Sequence, residues 1–208
     1  MMKKRILSLF LIACLVATAA MADTPNERQA RRVFDRAYQL FFGARGASLD
    51  YSVKLGAFYQ CNGTIWQKGK KLKFIEDRIC SWCDGTTYYR VDRKKKTVEV
   101  HNPNSPKKDK YANKFTFRAD DFVYHVADGG KDFILTLDAK KEVRGYIRHV
   151  KARVDKRTYE PKSLKIKVVF FWATVNISNF KSGGIDDAVF VFPKNKFAGY
   201  TFTDKRPD

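Results

Sequence analysis

The stretch of sequence that decides the fold runs from residue 146 to residue 172 and reads YIRHVKARVDKRTYEPKSLKIKVVFFW. Apolar and basic side chains alternate along it with a period of two, which is typical of two half-buried β-strands joined by a short turn. Lys151 and Arg153 lie opposite the apolar side chains of the first strand. Lys165 and Lys167 lie opposite the apolar side chains of the second strand. Such strands form a sheet with one basic face and one apolar face, and the apolar face has to be covered.

The same alternation continues on both sides of this stretch. Strand-like runs lie at residues 49–59, 63–67, 72–76, 79–83, 88–91, 97–101, 133–137, 143–155, 163–171, 174–180 and 188–192. Turn signals such as Lys68-Gly69-Lys70 and Asp84-Gly85 separate several of them. Residues 102–126 interrupt the strands, and the second half of this segment fits a helical turn or a strand. We therefore expect one mainly β (α+β) domain of about ten antiparallel strands.

An amphipathic helix precedes the strands. Thr24 is a good helix cap, Pro25 suits the first helical position, and Glu27 completes a capping box. Apolar residues then recur at helical spacing: Ala30, Val33, Phe34, Ala37, Tyr38 and Phe41. Gly43 and Gly46 end the pattern.

One helix and a short lid segment are modest cover for so wide a sheet. We therefore expect an apolar cavity or groove that binds an apolar ligand. Its expected lining consists of Tyr51, Val53, Leu55, Ile65, Leu72, Phe74, Leu135, Tyr146, Val150, Ile166, Val168 and Phe170. The helix contributes the expected lid residues Val33, Phe34, Ala37 and Phe41. The alternative for each of these side chains is ordinary core packing.

The N-terminal residues 1–22 read MMKKRILSLFLIACLVATAAMA and have the pattern of a signal peptide. A basic start is followed by an apolar run that is short for a membrane span, and by small residues before a cleavage site. We expect cleavage after Ala22, which leaves a domain of residues 23–208 in the periplasm. Two alternatives remain open, namely an uncleaved membrane anchor and lipidation at Cys14.

The charge of the chain is strongly positive, with 41 Lys and Arg against 22 Asp and Glu. Loss of the signal peptide removes three basic residues and lowers the net charge from +19 to +16. Because an exported protein rarely meets genomic nucleic acid, we expect no nucleic-acid partner. The charge instead favours anionic membrane surfaces or acidic protein partners.

Three cysteines remain after the predicted cleavage: Cys61, Cys80 and Cys83. The Cys80–Cys83 spacing resembles a redox motif, but it lies in a strand-like run rather than at a helix start. Residues three apart in a strand point to opposite faces, so a link from Cys61 to Cys80 or Cys83 is the more plausible disulfide. Structural or buried cysteines are the leading interpretation, and a thiol oxidoreductase is the alternative.

Catalytic and metal-binding patterns are missing from the sequence. It contains no nucleophile elbow, zinc-protease motif, phosphate loop or dinucleotide-binding motif. His101, His125 and His149 are scattered without the spacing of metal ligands. We expect no catalytic residues, no metal and no cofactor, and a binding protein rather than an enzyme.

The order of several motifs resembles the LolA family of periplasmic lipoprotein carriers. The resemblance starts with Gly63-Thr64-Ile65-Trp66, Leu72-Lys73-Phe74 and Asp84-Gly85-Thr86-Thr87-Tyr88-Tyr89. It continues in Val175-Asn176-Ile177-Ser178-Asn179-Phe180, Phe190-Val191-Phe192 and Asp204-Lys205-Arg206. The chain departs from the family pattern at Tyr89, Val91 and Ala198, and in its cysteines.

This resemblance implies an incomplete, highly curved β-barrel with a helical lid over an apolar interior. It implies a carrier of acylated lipoproteins or lipids from the inner to the outer membrane, without a cofactor. The implied partners are an inner-membrane releasing complex and an outer-membrane acceptor, and we expect a monomer. The alternative is a lipid- or lipoprotein-sensing domain that acts on a protein partner.

Overall fold

The computed structural model describes residues 23–56, 59–106, 108, 117–168 and 170–206. The predicted signal peptide, with Cys14 and the cleavage site after Ala22, lies outside these ranges. Residue 107 and residues 109–116, within the segment that interrupts the predicted strands, also lie outside them. None of the helices in the described ranges has the length and apolar character that a bilayer-spanning helix needs.

One helix, α1 (Pro25–Phe42), is followed by twelve strands in a single sheet. The strands are β1 (Ala47–Leu55), β2 (Tyr59–Lys68), β3 (Lys71–Glu76), β4 (Ile79–Cys83), β5 (Tyr88–Asp92), β6 (Thr97–His101), β7 (Phe122–Gly129), β8 (Asp132–Ala139), β9 (Ile147–Asp155), β10 (Pro161–Val168), β11 (Phe171–Ser182) and β12 (Thr201–Asp204). Their order across the sheet is β12-β6-β5-β4-β3-β2-β1-β11-β10-β9-β8-β7. Because β12 and β7 do not pair, the sheet is open, which confirms the mainly β, incomplete-barrel prediction.

Helix α1 begins with the capping box that the sequence predicts. The Thr24 hydroxyl accepts a bond from the Glu27 amide, and the Glu27 carboxylate accepts one from the Thr24 amide. Asn26 then exchanges two hydrogen bonds with the backbone of Val126 on β7. At the other end of α1 the Ser182 hydroxyl of β11 donates to the carbonyl of Leu40. The helix therefore crosses one face of the sheet from its β7 edge to β11.

The face that α1 covers, here called the inner face, holds the larger core cluster. Its buried members are Ala30, Val33, Phe122, Tyr124, Leu135, Leu137, Val150, Ala152 and Val154. Directly paired residues of neighbouring strands share a face, so the register extends this assignment across the sheet. Ile166 pairs with Ala173, Ala173 pairs with Leu55, and Leu55 pairs with Tyr59. These side chains of β10, β11, β1 and β2 therefore belong to the inner face.

A second cluster covers the opposite, outer face at the other half of the sheet. Its buried members are Cys80, Trp82, Val91, Val98 and Phe197. Phe192 packs against this cluster, with its ring stacked on Tyr89 at a centroid distance of 4.2 Å. Residues 187–200 therefore act as the cover of the outer face. The C-terminal segment thus covers the outer face of β4, β5 and β6.

The structure corrects several predicted boundaries. The predicted strand at 188–192 is wrong: Asp187–Phe190 is a short 3-10 helix, and the Asp186 side chain caps it at Ala188. The alternating apolar residues of this segment pack against the outer face as part of a turn, and they do not add a strand to the sheet. The predicted strand at 163–171 ends at Val168, where a hairpin turn leads to β11. The ambiguous segment is a 3-10 turn, Ala119–Asp121, followed by the strand β7.

A buried carboxylate ties β8, β9 and β10 together. Asp132 of β8 is only 2% exposed and accepts hydrogen bonds from Arg153 of β9 and Lys162 of β10, both at 2.6 Å. Lys162 also lies 2.8 Å from Asp155. The hydrogen bonds from Lys162 and Arg153 lower the pKa of the Asp132 carboxyl. This ionic cluster fixes the strands that carry the larger core.

The substitution Asp132→Asn should destabilise the fold in a pH-dependent way. Because the pKa of Asp132 is lower in the folded chain, its charge stabilises the fold above the unfolded value of about 4. The contribution falls as the pH drops through the lower, folded-state pKa. We expect a loss of about 1–3 kcal/mol in the free energy of unfolding at neutral pH, and a smaller difference in acid. Urea denaturation across pH measures both.

The control is Asp120→Asn, because Asp120 is exposed and pairs with Arg31 at the surface. We expect this variant to lose less than about 1 kcal/mol. A difference between Asp132→Asn and the wild type that stays constant down to low pH would contradict the assigned charge pairing.

Candidate functional site

The part of the inner face beyond α1 forms an apolar floor on β11, β1, β2 and β3. The register places nine partly buried side chains there: Tyr51, Val53, Leu55, Cys61, Ile65, Leu72, Phe74, Val175 and Ile177. Only Tyr51 and Cys61 of these bring polar atoms. The floor is therefore a groove bordered by α1 on one side, and we call it the inner groove.

Large aromatic side chains border the inner groove and remain exposed. Tyr38 and Phe42 of α1 are 42% and 44% exposed, Tyr59 of β2 is 52% exposed, and Phe171 of β11 is 56% exposed. Tyr38 stacks on Phe42 with ring centroids 4.5 Å apart. Soluble proteins rarely leave contiguous apolar surface uncovered without a binding role.

The two flanks of α1 differ in character. On one flank, the Arg36 guanidinium lies 4.6 Å from the ring centroid of Tyr159 in the β9–β10 turn. A depression of about 540 Å³ lies on this flank; Arg36 and Gln39 are among its lining residues, although most of its lining surface is apolar. Tyr38 and Phe42 lie on the other flank, so the aromatic flank of the helix borders the inner groove.

The predicted lining residues fall into three groups. The inner groove contains six of them: Tyr51, Val53, Leu55, Ile65, Leu72 and Phe74. Leu135 and Val150 lie buried beneath α1, and Ile166 packs against the same cluster. Tyr146 and Phe170 are exposed, by 47% and 86%, at the end of the sheet where Leu55 lies. The side chain of Val168 is not among those that the structure describes.

The predicted lid residues lie on α1 as expected, but they differ in burial and in their contacts. Val33 is buried in the larger core cluster, and Phe34 and Ala37 pack against that cluster. Phe41 is partly buried and meets Phe42 edge-on with ring centroids 4.8 Å apart. The helix is therefore fixed to β7 and β8 by its first half, and its second half carries the aromatic border.

Sequence reasoning missed several members of the site. Val175 and Ile177 alternate along β11 in the same way as the predicted lining, so the period-two signal was present. Phe171 was assigned to the preceding strand, which hid its place on β11. Glu76 follows Leu72 and Phe74 at the same spacing, but its charge argued against an inward position.

A small polar cluster lies on the floor of the inner groove. The Tyr51 hydroxyl donates to the Glu76 carboxylate at 2.6 Å, and the Cys61 thiol lies 3.8 Å from the same oxygen. The Tyr51 ring lies against Gly63, where a Cβ atom would come within 2.6 Å of the hydroxyl oxygen. Burial and the bond to Glu76 raise the pKa of Tyr51, and burial raises that of Cys61. Both groups therefore stay neutral, and the cluster lacks an activated nucleophile.

The three described cysteines are free thiols. β3 separates Cys61 on β2 from the two cysteines on β4, and Cys80 lies on the outer face, so the expected link to Cys61 is not formed. Burial raises the pKa values of Cys80 and Cys83, the reverse of what a redox motif needs. Within the described ranges no group of three or more His, Cys, Asp or Glu side chains is arranged to hold a metal ion.

Several solved structures are similar to this chain at very low sequence identity. An uncharacterized conserved protein from Thermus thermophilus aligns over 85% of this chain and 99% of its own, with a TM-score of 0.55 and 8% identity. MucB aligns over 81% of this chain with a TM-score of 0.51 and 8% identity, and the match spans 64% of the MucB chain. A LolA superfamily protein, NE2245 from Nitrosomonas europaea, aligns over 79% of this chain and 98% of its own, with a TM-score of 0.42 and 10% identity.

The chain shares its fold with MucB and with the Thermus thermophilus protein. No protein-family model and no curated protein sequence matches the chain. The likeness therefore concerns the fold, and function has to be argued from the inner groove itself.

The inner groove predicts which thiol reacts first. Cys61 is partly exposed on the groove floor, whereas Cys80 and Cys83 are 0% and 4% exposed. We expect N-ethylmaleimide to modify Cys61 of the folded protein well before the other two, with a rate that rises with pH because the thiolate reacts. Peptide mass spectrometry after timed quenching measures the three rates.

The variant Cys61→Ser provides the control and should lose the fast phase alone. Equal modification rates at all three cysteines in the folded protein would contradict the assigned burial of Cys80 and Cys83.

Proposed function

We propose that this chain is an extracytoplasmic carrier that shields the acyl chains of a lipid or lipoprotein in the inner groove. The supporting observation is the combination of a partly buried apolar floor and an exposed aromatic border. The floor residues are already arranged by the sheet, so they can receive an apolar chain with little rearrangement.

The geometry suits an extended hydrocarbon chain. β3, β2, β1 and β11 are consecutive in the sheet, and strands lie about 4.8 Å apart, so the floor extends roughly 14 Å across them. Each methylene group withdrawn from water contributes about 0.8 kcal/mol. Burial alone supplies the affinity, and the mechanism needs no cofactor and no bond-making step.

The more specific part of this proposal is that the carrier transports its cargo between two membranes. Residues 1–22 predict export, and the LolA-like motifs point to a lipoprotein collected from an inner-membrane releasing complex and given to an outer-membrane acceptor. A carrier for this purpose has to release its cargo, so an open groove bordered by few aromatic residues suits it better than a closed cavity.

A second candidate function is a sensor that binds a lipid or lipoprotein and acts on a protein partner. The likeness in fold to MucB favours it, since the MucA/MucB pair of Pseudomonas aeruginosa forms a complex. Both candidates require acyl binding in the inner groove, and they differ in the presence of a stable protein complex.

The neighbouring residues Phe171 and Trp172 test acyl binding with a matched pair of variants. Phe171 pairs with Val168 on the inner face, whereas Trp172 pairs with Lys167 on the outer face. We expect Phe171→Ser to weaken binding of a fluorescent fatty acid by about tenfold, since about half of the roughly 1.5–3 kcal/mol of a fully buried aromatic side chain is lost. Trp172→Ser should bind like the wild type. Fluorescence titration of the delipidated protein measures the dissociation constants.

A second readout places the ligand. A fatty acid bound in the inner groove should slow the modification of Cys61 by N-ethylmaleimide in proportion to occupancy. Failure of the folded, delipidated protein to bind a fatty acid or an acylated peptide would overturn the proposal. Binding without protection of Cys61 would place the ligand elsewhere.

A further inference from the structure

A row of lysines crosses the outer face, on the reverse side of the strands that build the inner groove. The register aligns Lys151 of β9, Lys165 of β10, Thr174 of β11 and Lys54 of β1. Since neighbouring strands lie about 4.8 Å apart, Lys151 and Lys165 are direct neighbours and Lys54 is two strands further on. Lys167 occupies the next outward position on β10. We call Lys54, Lys151, Lys165 and Lys167 the lysine patch.

The lysine patch is exposed and lacks carboxylate partners. All four lysines are exposed, and the structure shows no ion pair for any of them within the described ranges. The nearby basic residues Arg153 and Lys162 are already bound to Asp132. The aspartate on this face, Asp138, is bound by His149. Like charges directly opposite each other in a sheet are destabilising, so an anion from outside the chain would relieve the repulsion along the row.

Exposed aromatic side chains adjoin the lysine patch at one end. Trp172 is the direct cross-strand partner of Lys167, is 45% exposed, and has its ring centroid 6.0 Å from the Lys167 ammonium. Phe170, in the turn between β10 and β11, is 86% exposed. Tryptophan and lysine together are typical of the interface between lipid headgroups and acyl chains, where the ring is half-buried and the ammonium meets phosphate.

We propose that the lysine patch and the β10–β11 hairpin tip form a docking surface for an anionic phospholipid membrane. The patch supplies the attraction to the headgroup phosphates, and Phe170 inserts below them. An acidic protein would satisfy the charge but would leave the exposed hairpin tip without an apolar environment. The membrane is therefore the partner that fits both features.

The position of the hairpin connects docking with the inner groove. Ala173 at the start of β11 pairs with Leu55 at the end of β1, and Leu55 pairs with Tyr59. The hairpin tip and the aromatic border of the groove therefore lie at the same end of the sheet. A docked protein would present the mouth of the groove to the membrane. Docking itself goes beyond the proposed acyl binding and does not depend on it.

Vesicle binding tests the proposal with the cargo absent. The purified protein is sedimented with vesicles of phosphatidylglycerol and phosphatidylcholine in equal parts, and with vesicles of phosphatidylcholine alone. We expect binding to the anionic vesicles that is lost at high salt. The triple variant Lys151→Gln, Lys165→Gln and Lys167→Gln should bind them at least about tenfold more weakly, since each lysine near the surface contributes about one kcal/mol.

Two controls distinguish binding by this surface from effects of net charge and of general hydrophobicity. Lys70→Gln, Lys131→Gln and Arg157→Gln together remove the same charge from turns at the opposite end of the sheet and should change binding by no more than about twofold. Phe170→Ser should weaken binding, whereas Val191→Ser, at another exposed apolar position, should not. Circular dichroism confirms that each variant is folded.

Three outcomes would overturn the proposal: no binding to the anionic vesicles, equal loss in both triple variants, or equal effects of the two serine variants. Retention on immobilised polyglutamate without vesicle binding would also overturn it and would indicate an acidic protein partner. Fatty-acid titration of the same variants keeps the two proposals separate. A wild type that binds vesicles but no fatty acid would refute the carrier and leave the docking surface standing.

Discussion

The packing of one helix on one end of a wide sheet is the constraint on which the rest of the structure depends. Helix α1 has 18 residues, and the Asn26 hydrogen bonds to Val126 fix its first turn to β7. It therefore covers the inner face mainly over the strands from β7 to β10. The C-terminal segment does not extend this cover, because it packs on the outer face of β4, β5 and β6. The inner face of β11, β1, β2 and β3 keeps a partly exposed apolar surface.

The two faces of these strands differ in chemistry because side chains alternate with a period of two. The inner positions hold aliphatic and aromatic residues, and the outer positions hold lysines and hydroxyl-bearing residues. One set of backbone hydrogen bonds thus supports both an apolar groove and a basic surface. This arrangement explains how a chain with 44% hydrophobic residues also carries a net charge of +19.

Local signals in the sequence predicted the elements well where one interaction decides the structure. The capping box at Thr24 and the alternation around Lys165 both appear in the structure as predicted. The segment at 188–192 failed because a short alternating run fits a strand or a 3-10 turn equally well. The sequence could not predict which apolar residues line the groove, because Leu135 and Val53 lie in strands with the same alternation. The path of α1 makes the difference, because the helix covers Leu135 and leaves Val53 partly exposed.

Location of a bound acyl chain tests the central claim most directly. A crystal structure with a brominated fatty acid would show the bromine by anomalous scattering. The carrier account predicts a bromine position in the inner groove, in contact with the β1, β2 and β11 side chains and near the exposed rings of Tyr59 and Phe171. A bromine position on the outer face, or in the depression beside Arg36 on the other flank of α1, would contradict it.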